Sequence, residues 1–298
     1  MMKSMRRRYL EISAIGSACG KMKFEPIERT LLYSWARHSP EDCKDFLIKA
    51  GYIKYSDDAV DLHKDHDSLF KKAKTVSITN ATTKDFTSIL NSAEDDLKTL
   101  RESQGLKVSS EELKEFRDAG KKVINTNFGK NSEDTIIKSV NGKMGNDKMH
   151  YHNIGEDYCI GGKHDATVDD IVVEIKTRMK AANVRKNEYD LYQLFGYILA
   201  MGARSGKIIQ QFNGERYDSD VETQREYGII DSVVYSDKIT TMLEELNVFF
   251  SRLDNIILNK SMSAEELKLA LDTQCLCLIC DGEYVNKNSK YSKLFYFI

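Results

Sequence analysis

The sequence predicts an α/β (α+β) fold, in which a mainly helical N-terminal region precedes a core with a central mixed sheet flanked by helices. Three observations carry this. Residues 25–125 read as helical, and the chain contains only two prolines, Pro26 and Pro40. From about residue 150 the pattern changes to short β-like runs: Tyr158–Thr167, Ile171–Lys176, 206–212 and 227–235. Helical segments over 188–202 and 237–258 alternate with these runs, the order expected of an α/β core. The chain accordingly divides into 1–125, a helical region packed on the core; 126–260, the core; and 261–298, a C-terminal extension.

The individual elements follow from their end signals. Ser39-Pro40-Glu41-Asp42 combines a cap, a first-turn proline and acids near the positive end of the dipole, and Gly51 suits the stop. A second helix starts at Ser109 or Ser110, with Glu111 and Glu112 in its first turn. Further on, Gly129-Lys130-Asn131-Ser132-Glu133 reads as the opening of a short helix. On it Glu133 shares a face with Ile136, Ile137 and Val140; an acid on an apolar face asks for a partner such as a metal or its water, the alternative being a glutamate simply favoured at a helix N-terminus.

Bulk composition narrows the function. The 298 residues are 41% hydrophobic and 30% charged with a formal net charge of -2, which argues against a protein that coats nucleic acid nonspecifically. No run of 18 apolar residues occurs, so no membrane span and no membrane partner are expected. Six cysteines without the density of a disulfide scaffold favour an intracellular, reducing compartment. The basic start Lys3-Ser4-Met5-Arg6-Arg7-Arg8 reads as a surface arm.

The chemistry concentrates in residues 161–176. If Asp169 and Asp170 form a two-residue hairpin tip, Val168 faces Ile171, and the same register places Asp165 opposite Glu174. Side chains so opposed share a face with Cβ atoms roughly 5 Å apart. Alternation sends Ile171, Val173 and Ile175 to one side and Val172, Glu174 and Lys176 to the other. Two carboxylates and an amine then converge, and paired oxygen ligands of this type suit Mg²⁺ or Mn²⁺. The competing reading is a solvated strand face. Acid-x-Lys triplets also occur at Asp42, Asp96, Glu112 and Glu266, but in helix-like surroundings. Only Glu174-Ile175-Lys176 sits in an apolar strand with an acid at hairpin register.

Two flanking features add to it. Gln193 and Tyr197 lie together on one face of the following helix, whose core stripe is Leu191, Leu194 and Ile198. Between hairpin and helix, Lys176–Lys186 carries five basic residues and no acid, a segment suited to a phosphodiester backbone or, equally, an ordinary solvated loop.

Taken in order, these features resemble the RecB and phage lambda exonuclease (YqaJ-like viral recombinase) branch of the PD-(D/E)xK nucleases. The resemblance rests on Gly129 with Glu133, Gly162-Lys163-His164-Asp165, Glu174-Ile175-Lys176, and Gln193 with Tyr197. It departs from that branch where Ala166 replaces a second glycine and Thr177-Arg178 replaces Cys-Pro. It implies a restriction-endonuclease-like core and Mg²⁺- or Mn²⁺-dependent exonuclease activity on duplex DNA ends, in recombination, repair or replication. Asp165, Glu174 and the Ile175 carbonyl would ligate the main metal, and Glu133 a second ion or its water. Lys176 would act on the nucleophile, Gln193 and Tyr197 would brace the site, and Arg178 would contact DNA. The implied partners are DNA, further copies of the chain and a recombination or replication protein, in the nucleus or cytoplasm of a host if the source is viral.

Rival readings are an endonuclease and a non-catalytic nucleic-acid module derived from a nuclease. An iron–sulfur cluster on Cys275, Cys277 and Cys280 with Cys19 or Cys43 is disfavoured by the tight spacing and apolar neighbours. His63 and His66 read as exposed helix residues, and His150 and His152 as sharing a strand face.

Overall fold

A computed structural model of the chain describes residues 8–23, 25–51, 69–70, 83–140, 142–145, 148–178, 187–212, 224–226 and 228–271. The cysteine run 275–280, His63, His66, residues 1–7, the basic segment beyond Arg178 and most of the C-terminal extension lie outside them, as does the Arg178 side chain. The described residues form a mixed α/β structure with two small mixed sheets and eight α-helices, and the N-terminal region is largely helical. No helix among them is long and apolar enough to cross a membrane.

The first sheet holds β1 (Arg8–Glu11), β3 (His150–Ile154) and β4 (Tyr158–Gly162), in the order β1-β4-β3, with β1 parallel and β3 antiparallel to β4. The second holds β2 (Lys143–Met144), β5 (Ala166–Val168), β6 (Ile171–Arg178), β7 (Ser205–Phe212) and β8 (Gln224–Glu226) in chain order, while β9 (Ile230–Asp231) pairs with the start of β7. The expected single sheet is therefore two. The run Tyr158–Thr167 breaks at residues 163–165, where the chain leaves one sheet and enters the other.

The expected strand 227–235 is also shorter. The Asp231 carboxylate accepts a hydrogen bond from the Val233 amide at 2.8 Å, turning the backbone and ending β9.

Helices α1 (Ile15–Ala18), α2 (Ile27–His38) and α3 (Pro40–Lys49) pack with α6 (Glu188–Met201), α7 (Ser236–Asn259) and α8 (Ala264–Leu271) into the main core. Pro40 opens α3 as expected, but the Ser39 side chain makes no capping hydrogen bond. In α7 the buried residues Ile239, Met242, Leu246, Phe249, Phe250, Leu253 and Ile256 recur at three- and four-residue spacing, a stripe facing the core. Between the parallel strands β6 and β7 the chain crosses over through α6, which ends on Gly202 in the left-handed conformation (φ 62°).

Helix α4 (Thr83–Ser103) and the first half of α5 (Ser110–Ser139) enclose a separate cluster around Phe116, Val123, Ile124 and Phe128. Ser109 caps α5 by accepting from the Glu112 amide. The short helix expected from residue 129 is the second half of this same 30-residue helix, which also runs through residue 125. Gly129 opens no new helix but lies inside this one, where a Cβ would come 3.3 Å from Thr177 Oγ1 of β6.

Ile136 and Ile137 of α5 cover one face of the second sheet, with Ala166, Val173, Ile175 and Ile209. Leu194 and Ile198 of α6 join Val172 and Ile208 on the other. Strand β6 is thus covered on both faces, which removes the solvated-face reading.

Phe250, fully buried and stacked on Tyr158 with ring centroids 4.5 Å apart, ties α7 to β4. Phe250→Ala is expected to lower unfolding free energy by about 3–5 kcal/mol. Urea unfolding checks this; a loss under about 1 kcal/mol would contradict the packing described.

Candidate active site

The hairpin that carries the acids forms with the expected register. Asp169 (φ 49°) and Asp170 (φ 62°) both take the left-handed backbone of a two-residue turn, and Ala166↔Val173, Thr167↔Val172 and Val168↔Ile171 are paired. Asp165 lies one step beyond the Ala166↔Val173 pair, at the end away from the turn. There its Oδ2 accepts from the Ile175 amide at 2.7 Å, so the carboxylate is pinned to β6 beside Glu174.

Next to it, Gly145 donates its amide to the Asp165 carbonyl at 2.8 Å. A Cβ at Gly145 would fall 2.0 Å from the His164 carbonyl oxygen, so only glycine lets the chain come this close. Gly162 serves similarly: its missing side chain leaves room for the Tyr197 ring, which a Cβ would meet at 3.0 Å.

Glu174 and Lys176 project from β6 toward α6. The Lys176 Nζ lies 2.6 Å from Glu174 Oε1, donates to Gln193 Oε1 at 2.8 Å, and is 3.8 Å from Asp190 Oδ1. Glu174 is only 2% exposed, and its Oε2 has no hydrogen-bond partner. From the other side α5 brings Glu133, whose carboxyl is raised by burial and then by Glu174, with Lys176 opposing. At this level the apolar stripe of α5 gives way to Gly129-Lys130-Asn131-Ser132-Glu133, and a Cβ on Gly129 would lie 3.3 Å from Thr177 Oγ1.

Electrostatics bind these groups into one system. Burial pushes Asp165 up to about 6; the Ile175 amide opposes the shift and Glu133 adds to it. Burial likewise pushes Glu174 up to about 8, with Asp165 raising it further and Lys176 opposing. For Lys176 burial acts downward, but Glu174 and Asp190 outweigh it and the net shift is upward. The lysine therefore stays an ammonium, held among acids. Tyr197 is raised by burial, Glu174 and Asp165, while its hydrogen bond with Gln193 opposes the shift.

Asp165, Glu174, Lys176, Glu133, Gln193 and Tyr197 are thus brought into one electrostatic neighbourhood, and Ile175 enters through its backbone. Reading the sequence missed Asp190, Gln210 and Gly145. Asp190 is buried on α6, and its spacing to Gln193 and Tyr197 (three and seven residues) was a usable signal. Gln210, also buried, is the register partner of Lys176 on β7. His150 and His152 alternate on β3, and the His150 ring packs edge-on against His164, 5.3 Å between centroids.

Among the described residues no group of three or more His, Cys, Asp or Glu side chains is placed to hold a metal ion. The donor chemistry of the pair Asp165 and Glu174 nonetheless suits a hard divalent cation, since both offer carboxylate oxygens and the buried Glu174 Oε2 has no hydrogen-bond partner.

No family model and no curated protein matches the chain. Among solved structures, the crystal structure of SSO0001 is similar at 17% identity, covering 61% of this chain and 84% of that one, with a TM-score of 0.34. The likeness is distant.

A pH dependence follows from the two raised carboxyls. Their ordinary values are 3.8 and 4.5, so the folded state holds protons that the unfolded chain releases. The resulting stability is fully present below the ordinary values and is lost as pH rises through about 6 and 8. In chelator, the melting temperature of wild type is expected to fall across this window relative to Glu174→Gln. Parallel curves for the two proteins would contradict the burial assigned to Glu174.

Proposed function

We propose that this chain is a divalent-metal-dependent deoxyribonuclease with a restriction-endonuclease-like core of the PD-(D/E)xK type, acting as an exonuclease on duplex DNA. The observation that carries the reading is the convergence of Asp165, Glu174 and Lys176 on one buried patch, with Gln193 bonded to the lysine. The succession of α5, the β5–β6 hairpin, α6 and β7 around that patch supports the same core.

Asp165, Glu174 and the Ile175 carbonyl would hold the ion, with Glu133 serving a second ion or its water. When bound, the metal supplies Lewis-acid polarisation of the phosphodiester and acidifies water. The remaining work belongs to the chain. The Ile175 amide fixes the Asp165 carboxylate, so it needs no reorganisation on binding. Lys176 carries the positive charge that holds the attacking water and offsets negative charge growing on phosphorus. Gln193 orients the ammonium, and Tyr197, buried against Gly162, keeps the helix carrying Gln193 at its distance from the strand. Burial of Glu174 excludes water behind the acids and strengthens each of these interactions.

A time course on end-labelled linear duplex DNA, beside a closed circle, tests the proposal. Mg²⁺-dependent release of nucleotides from the linear substrate alone is expected. Asp165→Ala and Lys176→Ala should each reduce the rate by about 10²–10³-fold or more while leaving the far-UV spectrum unchanged. Cutting of the circle would favour an endonuclease. Absence of metal-dependent cleavage, or full activity in either variant, would overturn the assignment.

A further inference from the structure

We propose that Asp190, together with Gln193, forms a second cradle for the Lys176 ammonium on α6, and that Lys176 passes from Glu174 into this cradle when Glu174 takes up a divalent ion. The inference rests on the reading of the site as a metal-dependent nuclease centre and assigns Asp190 the part of a positioning residue.

Three acceptors surround one ammonium. Glu174 Oε1 on β6 is 2.6 Å away, Gln193 Oε1 on α6 is 2.8 Å away, and Asp190 Oδ1, one turn earlier on α6, is 3.8 Å away. Asp190 is only 2% exposed, a burial that a carboxylate tolerates when a cation is at hand. It is held in place by Asn187, whose Nδ2 donates to Asp190 Oδ2 at 3.2 Å. In the present arrangement Lys176 lies against Glu174, yet Asp190 acts on both residues: it raises the lysine and raises Glu174.

A divalent ion on Glu174 and an ammonium 2.6 Å from the same carboxylate would repel each other. The lysine stem is long and flexible, and about an ångström of travel brings Nζ from 3.8 Å to full contact with Asp190. Gln193 stays within reach at both stations and guides the exchange. The ammonium then remains beside the ion, paired and oriented, where the proposed chemistry uses it. Glu174 is freed without leaving an unpaired buried lysine.

The test is Mn²⁺ affinity of the full chain, measured by calorimetry for wild type, Asp190→Asn, Lys176→Met and the double variant. Asp190→Asn is expected to weaken Mn²⁺ binding about tenfold when Lys176 is present and less than about twofold in the Lys176→Met background. Equal weakening in both backgrounds would mean that Asp190 acts on the ion directly, and would overturn the cradle, as would no change in either. Should Asp190→Asn fail to fold, Gln193→Leu supplies the same comparison, with the same lysine-dependent weakening expected. If wild type binds no Mn²⁺, the nuclease reading falls and takes this inference with it. If wild type binds and the effects are merely additive, the inference alone falls.

Discussion

The contact between Glu174 and Lys176, set in a strand covered on both faces, is the constraint around which the rest of the molecule is arranged. A carboxylate with 2% exposure is expensive to bury, and partnering it with an ammonium recovers part of that cost at best. Apolar residues of similar volume at both positions would serve stability as well or better. The surrounding elements bend to accommodate the pair. Helix α5 interrupts its apolar stripe at Ser132 and Glu133, opposite the site, and α6 turns Asp190, Gln193 and Tyr197 toward it from an otherwise apolar helix. Two further buried polar side chains flank the pair: Asp190 on α6, and Gln210 on β7 as the register partner of Lys176. Buried acids whose carboxyls are pushed upward, as those of Asp165 and Glu174 are, suit the proposed nuclease centre better than they suit stability.

Much of this was legible in the chain because short-range rules decide it. The paired aspartates at the turn accept the left-handed backbone, so the register of β5 against β6 follows, and with it the place of Asp165 next to Glu174. Two-residue alternation assigned Val173 and Ile175 to one layer and Glu174 and Lys176 to the other. Helical spacing located α6 and α7 within a residue or two of where they lie.

What was not legible depends on contacts distant in sequence. Gly129 looked like a helix opening, because a glycine that admits Thr177 of β6 to close range cannot be told from a breaker without knowing what packs there. The split into two sheets depends on residues 163–165 crossing between them, and continuous strand propensity through Thr167 hides that step. Gly145 acts only through the His164 and Asp165 carbonyls, some twenty residues away. Asp190 was the avoidable omission, since its spacing to Gln193 and Tyr197 already put it on their face.

Anomalous diffraction from crystals soaked in Mn²⁺ tests the central claim most directly. The account predicts a peak about 2.1 Å from carboxylate oxygens of both Asp165 and Glu174, with the Lys176 ammonium moved off Glu174. Density confined to another group, such as the His150–His164 pair, or no ordered ion at saturating Mn²⁺, would contradict it.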